Sequence, residues 1–504
     1  MKKLILFTLL LFCQIEFIYS ADISSKWSEQ FSVSGVFDEY TSKVIGENSK
    51  YVYVLFSSRS TMTIIINYKI VAFEISTMKI AHEISIQGFD QDKIKSDLMK
   101  TMQYIDVVSN GEVVYCVWSK FTKDKLEYYV QILNQNLEPV GDLRNVYSKK
   151  PTSKSEFSSW TSVQINKEGN TDLLIVKSSS PERSTLNKME LITVKKTGET
   201  KVSPVIDMHT STKDSYYYLE EFASCKLAKT GMVYFQDKRF DDEKKELIKG
   251  VGMIDPISGK KVYHTILQTE EVISLMYDYS GEKFIVYGVY QSREKDKSQK
   301  LGLYSVEINK ADFSIQKTSV SDVKSQLAPA LAKNGKKIAV SVCDAFLEKD
   351  NSIVYFLAVA DKSNNISHEN ASVIYLKTDA SANLVWFKSI EVDVNSLDIY
   401  WRSNFKAMKN GNKYDLLYPI EYKKGLDPNR YILELKCMEI SAATGATTST
   451  SYNLESAGLK FAKDVNVPKF RFELGQSENS FYFWSYKAQS TKPEINCFGQ
   501  LMIK

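Results

Sequence analysis

Residues 372–390 read SVIYLKTDASANLVWFKSI, two runs of strand-forming residues around a short polar knot. Ser372 to Thr378 alternates apolar and polar positions and is rich in β-branched and aromatic types. Asp379 to Asn383 is made of residues whose short side chains hydrogen-bond nearby backbone and tolerate left-handed conformations, so it predicts a turn. Leu384 to Ile390 resumes the alternation, with Leu384, Trp386 and Lys388 on one face and Val385, Phe387 and Ser389 on the other. A hairpin is expected, and the rest of the chain reads as worn copies of it.

Polar turns between two apolar runs recur at Ser76-Thr77, Asn134–Asn136, Lys196–Gly198, Asp255–Gly259, Asn309–Asp312 and Ala443–Gly445. With Asp379–Asn383 included, their centres lie 59, 62, 60, 54, 69 and 63 residues apart. A second marker precedes each: Asn110-Gly111, Gly169-Asn170, Thr230-Gly231, Ser280-Gly281, Asn334-Gly335 and Asn410-Gly411 are hairpin-turn signals. Gly46–Ser49 and Glu478-Asn479 are weaker versions, and each marker is followed by a β run such as YVYVLF, EVVYCVWS or SFYFWS. Every copy therefore reads as strand, turn, strand, long polar loop, strand, short turn, strand.

One such meander leaves apolar faces uncovered, so copies must stack. Four-stranded repeats packed radially make a β-propeller. The chain ends at Lys504 one strand short of a full copy, and Lys26–Val33 (KWSEQFSV) supplies that strand, with Trp27 in the place of Trp386. The expected fold is all-β: an eight-bladed propeller of four-stranded antiparallel blades, its ring closed by the N-terminal strand in the last blade. Seven blades are the alternative. Separate β-sandwich domains fit less well, because the spacing is even and the two incomplete ends complement each other. The excess length of the repeats is assigned to the loops between second and third strands, with an insertion at Ala360–Ala371.

YLKTDASANLVWFKSI resembles the blade pattern of secreted bacterial β-propeller repeat proteins, in which Lys-x-Asp (Lys377, Asp379) leads through a turn to a Trp strand (Trp386). MIDPISGKKVYH (253–264) resembles the PQQ-like turn through Asp255, Ser258 and Gly259, with Tyr263 where that repeat carries a docking Trp. The resemblance implies an architecture and no catalytic residues, and no cofactor is expected.

The chain opens MKKLILFTLLLFCQIEFIYSAD: a basic start, an apolar run too short to span a bilayer and an acceptable cleavage context. Residues 1–20 are expected to be a signal peptide and 21–504 a single propeller domain. The protein would then be exported, and periplasmic, at the cell surface or extracellular. The formal charge is +4, or +3 without the leader, which gives no reason to expect a nucleic acid partner. No transmembrane segment is found, and a monomer is expected. Cys116, Cys225, Cys343, Cys437 and Cys497 are odd in number and widely spaced, which favours buried thiols over a zinc site or disulfide framework.

No metal-binding His pair, P-loop, nucleophile elbow or calcium loop occurs. His82 and His264, on outer strands, are expected to be half-packed rings, and Trp118 and Trp484 core residues. The sequons at Asn365 and Asn370 are read as chance. In a propeller the second-to-third loops share a face with the segments entering each first strand. Five of those loops (Ser119–Lys125, Asp237–Glu246, Gln291–Lys300, Glu421–Arg430, Lys487–Glu494) carry 16 Lys and Arg against 11 Asp and Glu. Trp160, Phe222 and Trp401, the last followed by Arg402, lie 9, 9 and 10 residues before their turn glycines, which registers them near the channel mouth as candidate ligand contacts. The expected function is an exported, non-catalytic scaffold binding a protein or glycan through its loop-bearing face. The alternative is a carbohydrate-active enzyme, with acidic residues from several blades meeting at the central channel.

Overall fold

The structure, a computed structural model, describes residues 23–29, 31–32, 39–59, 66–86, 102–121, 124–150, 160–165, 173–179, 186–210, 225–228, 230–241, 246–267, 271–291, 301–331, 338–361, 371–392, 406–423, 430–453, 471–474, 480–486 and 495–503. Blades one to seven run in chain order from strand Glu39–Glu47 to strand Thr447–Asn453, each antiparallel with its strands in sequence order. Blade eight takes three strands from the C-terminus, Arg471–Leu474, Ser480–Tyr486 and Ile495–Ile503, and its outer strand from the N-terminus. Ile23 lies opposite Ile503 and Trp27 opposite Gly499, so the ring closes as expected.

Each blade is covered on both sides by its neighbours. In the second strand of blade six, Ile353, Tyr355, Leu357 and Val359 pack against blade five. The residues between them, Val354, Phe356 and Ala358, pack against blade seven. A strand buried on both faces reads as an unbroken apolar run, which is why IVYFLAVA shows no alternation. The same division gives mixed cores between blades one and two, two and three, three and four, and four and five. Between eight and one, Phe498 and Tyr482 join Val52, Val54 and Phe73. Phe73 and Phe498 stack with ring centroids 4.6 Å apart across that seam.

The turns follow the repeat. Gly111 and Gly411, each after an Asn, have φ of +91° and +59°, a region only glycine enters without strain. In the turn between third and fourth strands, one residue in each of blades one to seven is left-handed: Met78, Leu137, Gly198, Gly259, Phe313, Ala382 and Gly445. The four that are not glycine are all buried. The side chain of Asp379 accepts the amides of Ser381 and Asn383 at 2.8 and 2.9 Å, and Asn134, Asp255 and Asn309 cap their turns in the same way.

Four features depart from the sequence reading. The closing strand is not one piece over Lys26–Val33 but two, Ile23–Trp27 and Phe31–Ser32, both paired with Ile495–Ile503. Ser28 sits at the break. Its amide donates to the Phe498 carbonyl at 2.8 Å, and its hydroxyl accepts the Phe498 amide at 3.0 Å. The outer strand of blade three breaks likewise into Thr200–Val202 and Ile206–Thr210, with Ser203 bonding Leu191 by the same two contacts.

Second, Trp27 covers Gly499 of its own sheet, where an added Cβ would lie 2.5 Å from the indole. Trp386 instead covers Gly445 of the next blade. Third, helix Lys324–Leu331 joins blades five and six, and its Leu327 enters their shared core. Fourth, the excess length lies mainly between blades. The second-to-third loops hold four to nine residues, and the blade-to-blade connections five to seventeen. Among the described residues, no helix is long and apolar enough to cross a membrane.

Candidate functional site

The first strand of each blade is innermost, and most neighbouring first strands touch around the central channel. Because every pairing is antiparallel, all first strands run the same way. The second-to-third loops and the blade-to-blade connections therefore open on one face. The opposite face has turns of two to seven residues, apart from the ten between Leu133 and Arg144.

Trp160 begins the innermost strand of blade three, opposite Ser178, at the loop-bearing end of the channel wall. The residue after it, Thr161, joins its hydroxyl to that of Tyr128 in blade two at 2.8 Å. The other three candidates, Phe222, Trp401 and Arg402, lie outside the described residues, as do most of the five charge-counted loops and both sequon asparagines, Asn365 and Asn370.

The channel wall has a feature that sequence reasoning missed. In blades one, two, five and six the innermost strand bulges at corresponding places, before Gly46, Asp106, Ser274 and Asp344. A bulge bends its strand and re-aims the next side chain. Asp106 is turned toward blade one, where Lys43 reaches it at 3.3 Å, and its Oδ1 also accepts the Val107 amide at 2.8 Å. Asp344 is turned toward blade seven, where its Oδ2 accepts the Ala407 amide at 2.9 Å. Burial pushes the Asp344 carboxyl up to about 6, against the opposing pull of that amide and of Lys406. The signal was present in VSVCDAF: an acid interrupting an apolar strand requires a specific partner.

Blades six and seven are tied further at the turn side. Glu348 accepts from the Tyr414 hydroxyl and pairs with Lys409 at 2.6 Å. Next to Tyr414, Asp415 is fully buried and takes the Asn410 side-chain amide at 3.0 Å, while its Oδ1 has no hydrogen-bond partner. Burial raises its carboxyl to about 6.

His82 and His264 are half-packed as expected, against the Tyr51 hydroxyl at 3.3 Å and the Phe313 carbonyl. Cys116 and Cys437 are buried and unbridged, and burial raises both thiols. Trp118 is buried; the Trp484 side chain lies outside the described residues. Among the described residues, no group of three or more His, Cys, Asp or Glu is arranged to hold a metal ion.

No family model matches the chain, and no curated protein matches it. Among solved structures it is similar to the β-propeller domain of the trilobed protease from Pyrococcus furiosus, described as having an open velcro topology. The identity is 10% and the TM-score 0.37, over 87% of this chain and 98% of that one. An ulvan lyase of a new polysaccharide lyase family matches at 8% identity and TM-score 0.38, over 78% and 90% of the two chains. The acylaminoacyl peptidase of Pyrococcus horikoshii matches at 9% and 0.37, over 93% of this chain and 59% of its own. At these values the likeness carries no argument about function, and the fold stands on the strand pairing of this chain.

Proposed function

We propose that the chain is an exported, non-catalytic β-propeller that binds a protein or a glycan through the face bearing its long connections. The observation that carries this reading is the asymmetry of the ring. One face gathers the segments of up to seventeen residues, while the other is closed by short capped turns. Recognition placed on long loops over a rigid scaffold is the common economy of such folds. The reading assigns the contact to Trp160, whose backbone begins the innermost strand of blade three at the loop-bearing end, together with Phe222, Trp401 and Arg402. The non-catalytic part is supported by the occupation of Asp106 and Asp344 in contacts between blades. Export rests on the leader at residues 1–20.

An orientation experiment tests the reading. Biotin at Ser381→Cys, in an exposed turn of the closed face, presents the loop-bearing face to solution; biotin at Asp124→Cys, in an exposed second-to-third loop, masks it. Labelled glycans and a solubilised cell-envelope protein fraction are passed over both surfaces. Retention on the Ser381 surface alone is the expected result. Equal retention on both, or retention on neither, overturns it.

A further inference from the structure

The outer strand of blade two, Arg144–Lys149, carries a bulge at Val146: Asn145 faces Tyr129, and the next pair is Tyr147 with Tyr128. Without that extra residue, alternation would aim Val146 and Ser148 at blade three. With it, Tyr147 and Lys149 point there, while Val146 also stays in the core between the two blades. Tyr147 and Lys149 meet a cross-strand pair of blade three, Lys177 and Glu190. Lys177 is 1% exposed and donates to Glu190 Oε2 at 2.9 Å and to the Tyr147 hydroxyl at 3.1 Å. Tyr147 in turn donates to Glu190 Oε2 at 2.9 Å, and Lys149 to Oε1 at 3.1 Å. Burial works to raise the Glu190 carboxyl, but the two ammonium groups outweigh it and hold it below the usual carboxylate range.

Above this cluster lies a cleft of about 480 Å³ between the two blades, lined by the strand edge from Asn145 to Lys149, by Glu190 and by Val202. The hollow is wide open to solvent, so a ligand there would be held on one side, by the strand edge and Glu190. Two ammonium groups face one carboxylate: Lys177 is buried against Glu190, while Lys149 reaches it from the solvent side, and Glu127 bonds Asn145 and Ser148 on the same strand. Lys149 is one third exposed, and among the described residues Glu190 is its partner, so donors remain for a ligand.

We propose that this cleft binds a compact sugar acid, a polyhydroxylated ring carrying one carboxylate. The carboxylate would meet Lys149. Glu190 beside it accepts hydroxyl donors and repels a doubly charged phosphate, and half-exposed Val202 covers the C–H face of the ring. An added peptide strand is disfavoured, because the bulge interrupts the edge along which it would pair. This site lies between outer strands, away from the channel mouth, and stands independently of the function proposed above.

Calorimetric titration of the mature chain with sodium glucuronate, and with glucose as its neutral counterpart, tests the proposal. Saturable binding of glucuronate is expected, with glucose weaker by about tenfold or more, as loss of a charge-assisted contact implies. Lys149→Met should lower glucuronate affinity about tenfold, and Val202→Trp, which fills the cleft from an exposed position, should abolish it. Val202→Trp should keep the parental thermal midpoint, and Lys149→Met should remain folded with a midpoint lowered modestly by the loss of one partner of Glu190. Tighter binding of a glucuronate oligomer would identify a unit within a glycan as the source, and preference for the monomer the free acid; both support the site. No saturable signal with glucuronate, equal binding of glucose, or unchanged affinity in Val202→Trp overturns it.

Discussion

The Ser28 hydroxyl accepts the Phe498 amide at 3.0 Å while the Ser28 amide donates to the Phe498 carbonyl at 2.8 Å, so a side chain stands in for main chain where the ring closes. Ser203 does the same for Leu191 in blade three. Replacing Ser28 by Ala leaves a buried amide without an acceptor, a loss of about 1–3 kcal/mol. Urea unfolding should show that loss for Ser28→Ala and for Ser203→Ala alike. A change below roughly 0.5 kcal/mol in both would mean that the hydroxyls do not complete the ladder.

The left-handed turn residues separate two opposing terms. Phe313 has φ +59° and is fully buried beside Phe284 and Tyr234; Ala382 has φ +63° and little side chain to lose. Glycine removes the backbone penalty, about 1 kcal/mol, at either position. At Phe313 it also removes a core aromatic that contributes about 3–5 kcal/mol. Phe313→Gly should therefore destabilise by several kcal/mol in thermal or urea melts, while Ala382→Gly should be neutral or mildly stabilising. Equal effects would contradict the division.

These turns also explain how much of the fold was legible. Where the left-handed position is Gly259 or Gly445, or the first turn is Asn410-Gly411, local chemistry marks the repeat. Where it is Met78, Leu137 or Phe313, the polar residues before it still mark the turn, but the left-handed position itself carries no local signal, because core packing holds that backbone. The strand break at Ser28 was hidden because serine in a strand looks like an ordinary solvent-facing residue, whereas Pro204 marks the one at Ser203. The connecting helix was hidden by Pro329 inside KSQLAPAL, which reads as a loop. Of the candidate site, the structure describes only the backbone of Trp160, at the start of an innermost strand, and its side chain lies outside the described residues. The contacts of Asp106 and Asp344 were not legible, since a bulge in one strand and an amide in the next blade share no sequence neighbourhood.

The Lys177–Glu190 pair makes a stability prediction separate from any ligand. Lys177→Met leaves Glu190 with Tyr147 and the partly exposed Lys149, and removing one partner of a buried pair costs about 3–5 kcal/mol. The double change Lys177→Met with Glu190→Leu removes both charges and should recover at least half of that loss. A double variant as unstable as the sum of its single changes would show that the two side chains act independently.

Acid should stabilise one part of this ring while weakening another. Asp415 titrates near 6 in the fold, above its ordinary value of 3.8, because burial disfavours its charge. The folded state thus binds the proton more tightly, and between those two values stability from this group falls as pH rises. Glu190 is held low, so its contribution is present at neutral pH and is lost in acid below its unfolded value of 4.5. Asp415→Asn removes the charge, keeps an oxygen for the Asn410 amide, and should raise stability at pH 8 by about 1–3 kcal/mol. That advantage should shrink steadily from pH 6.5 to pH 4. Urea midpoints of both proteins across that range give the measurement, and a difference independent of pH would mean that Asp415 is not the group responsible.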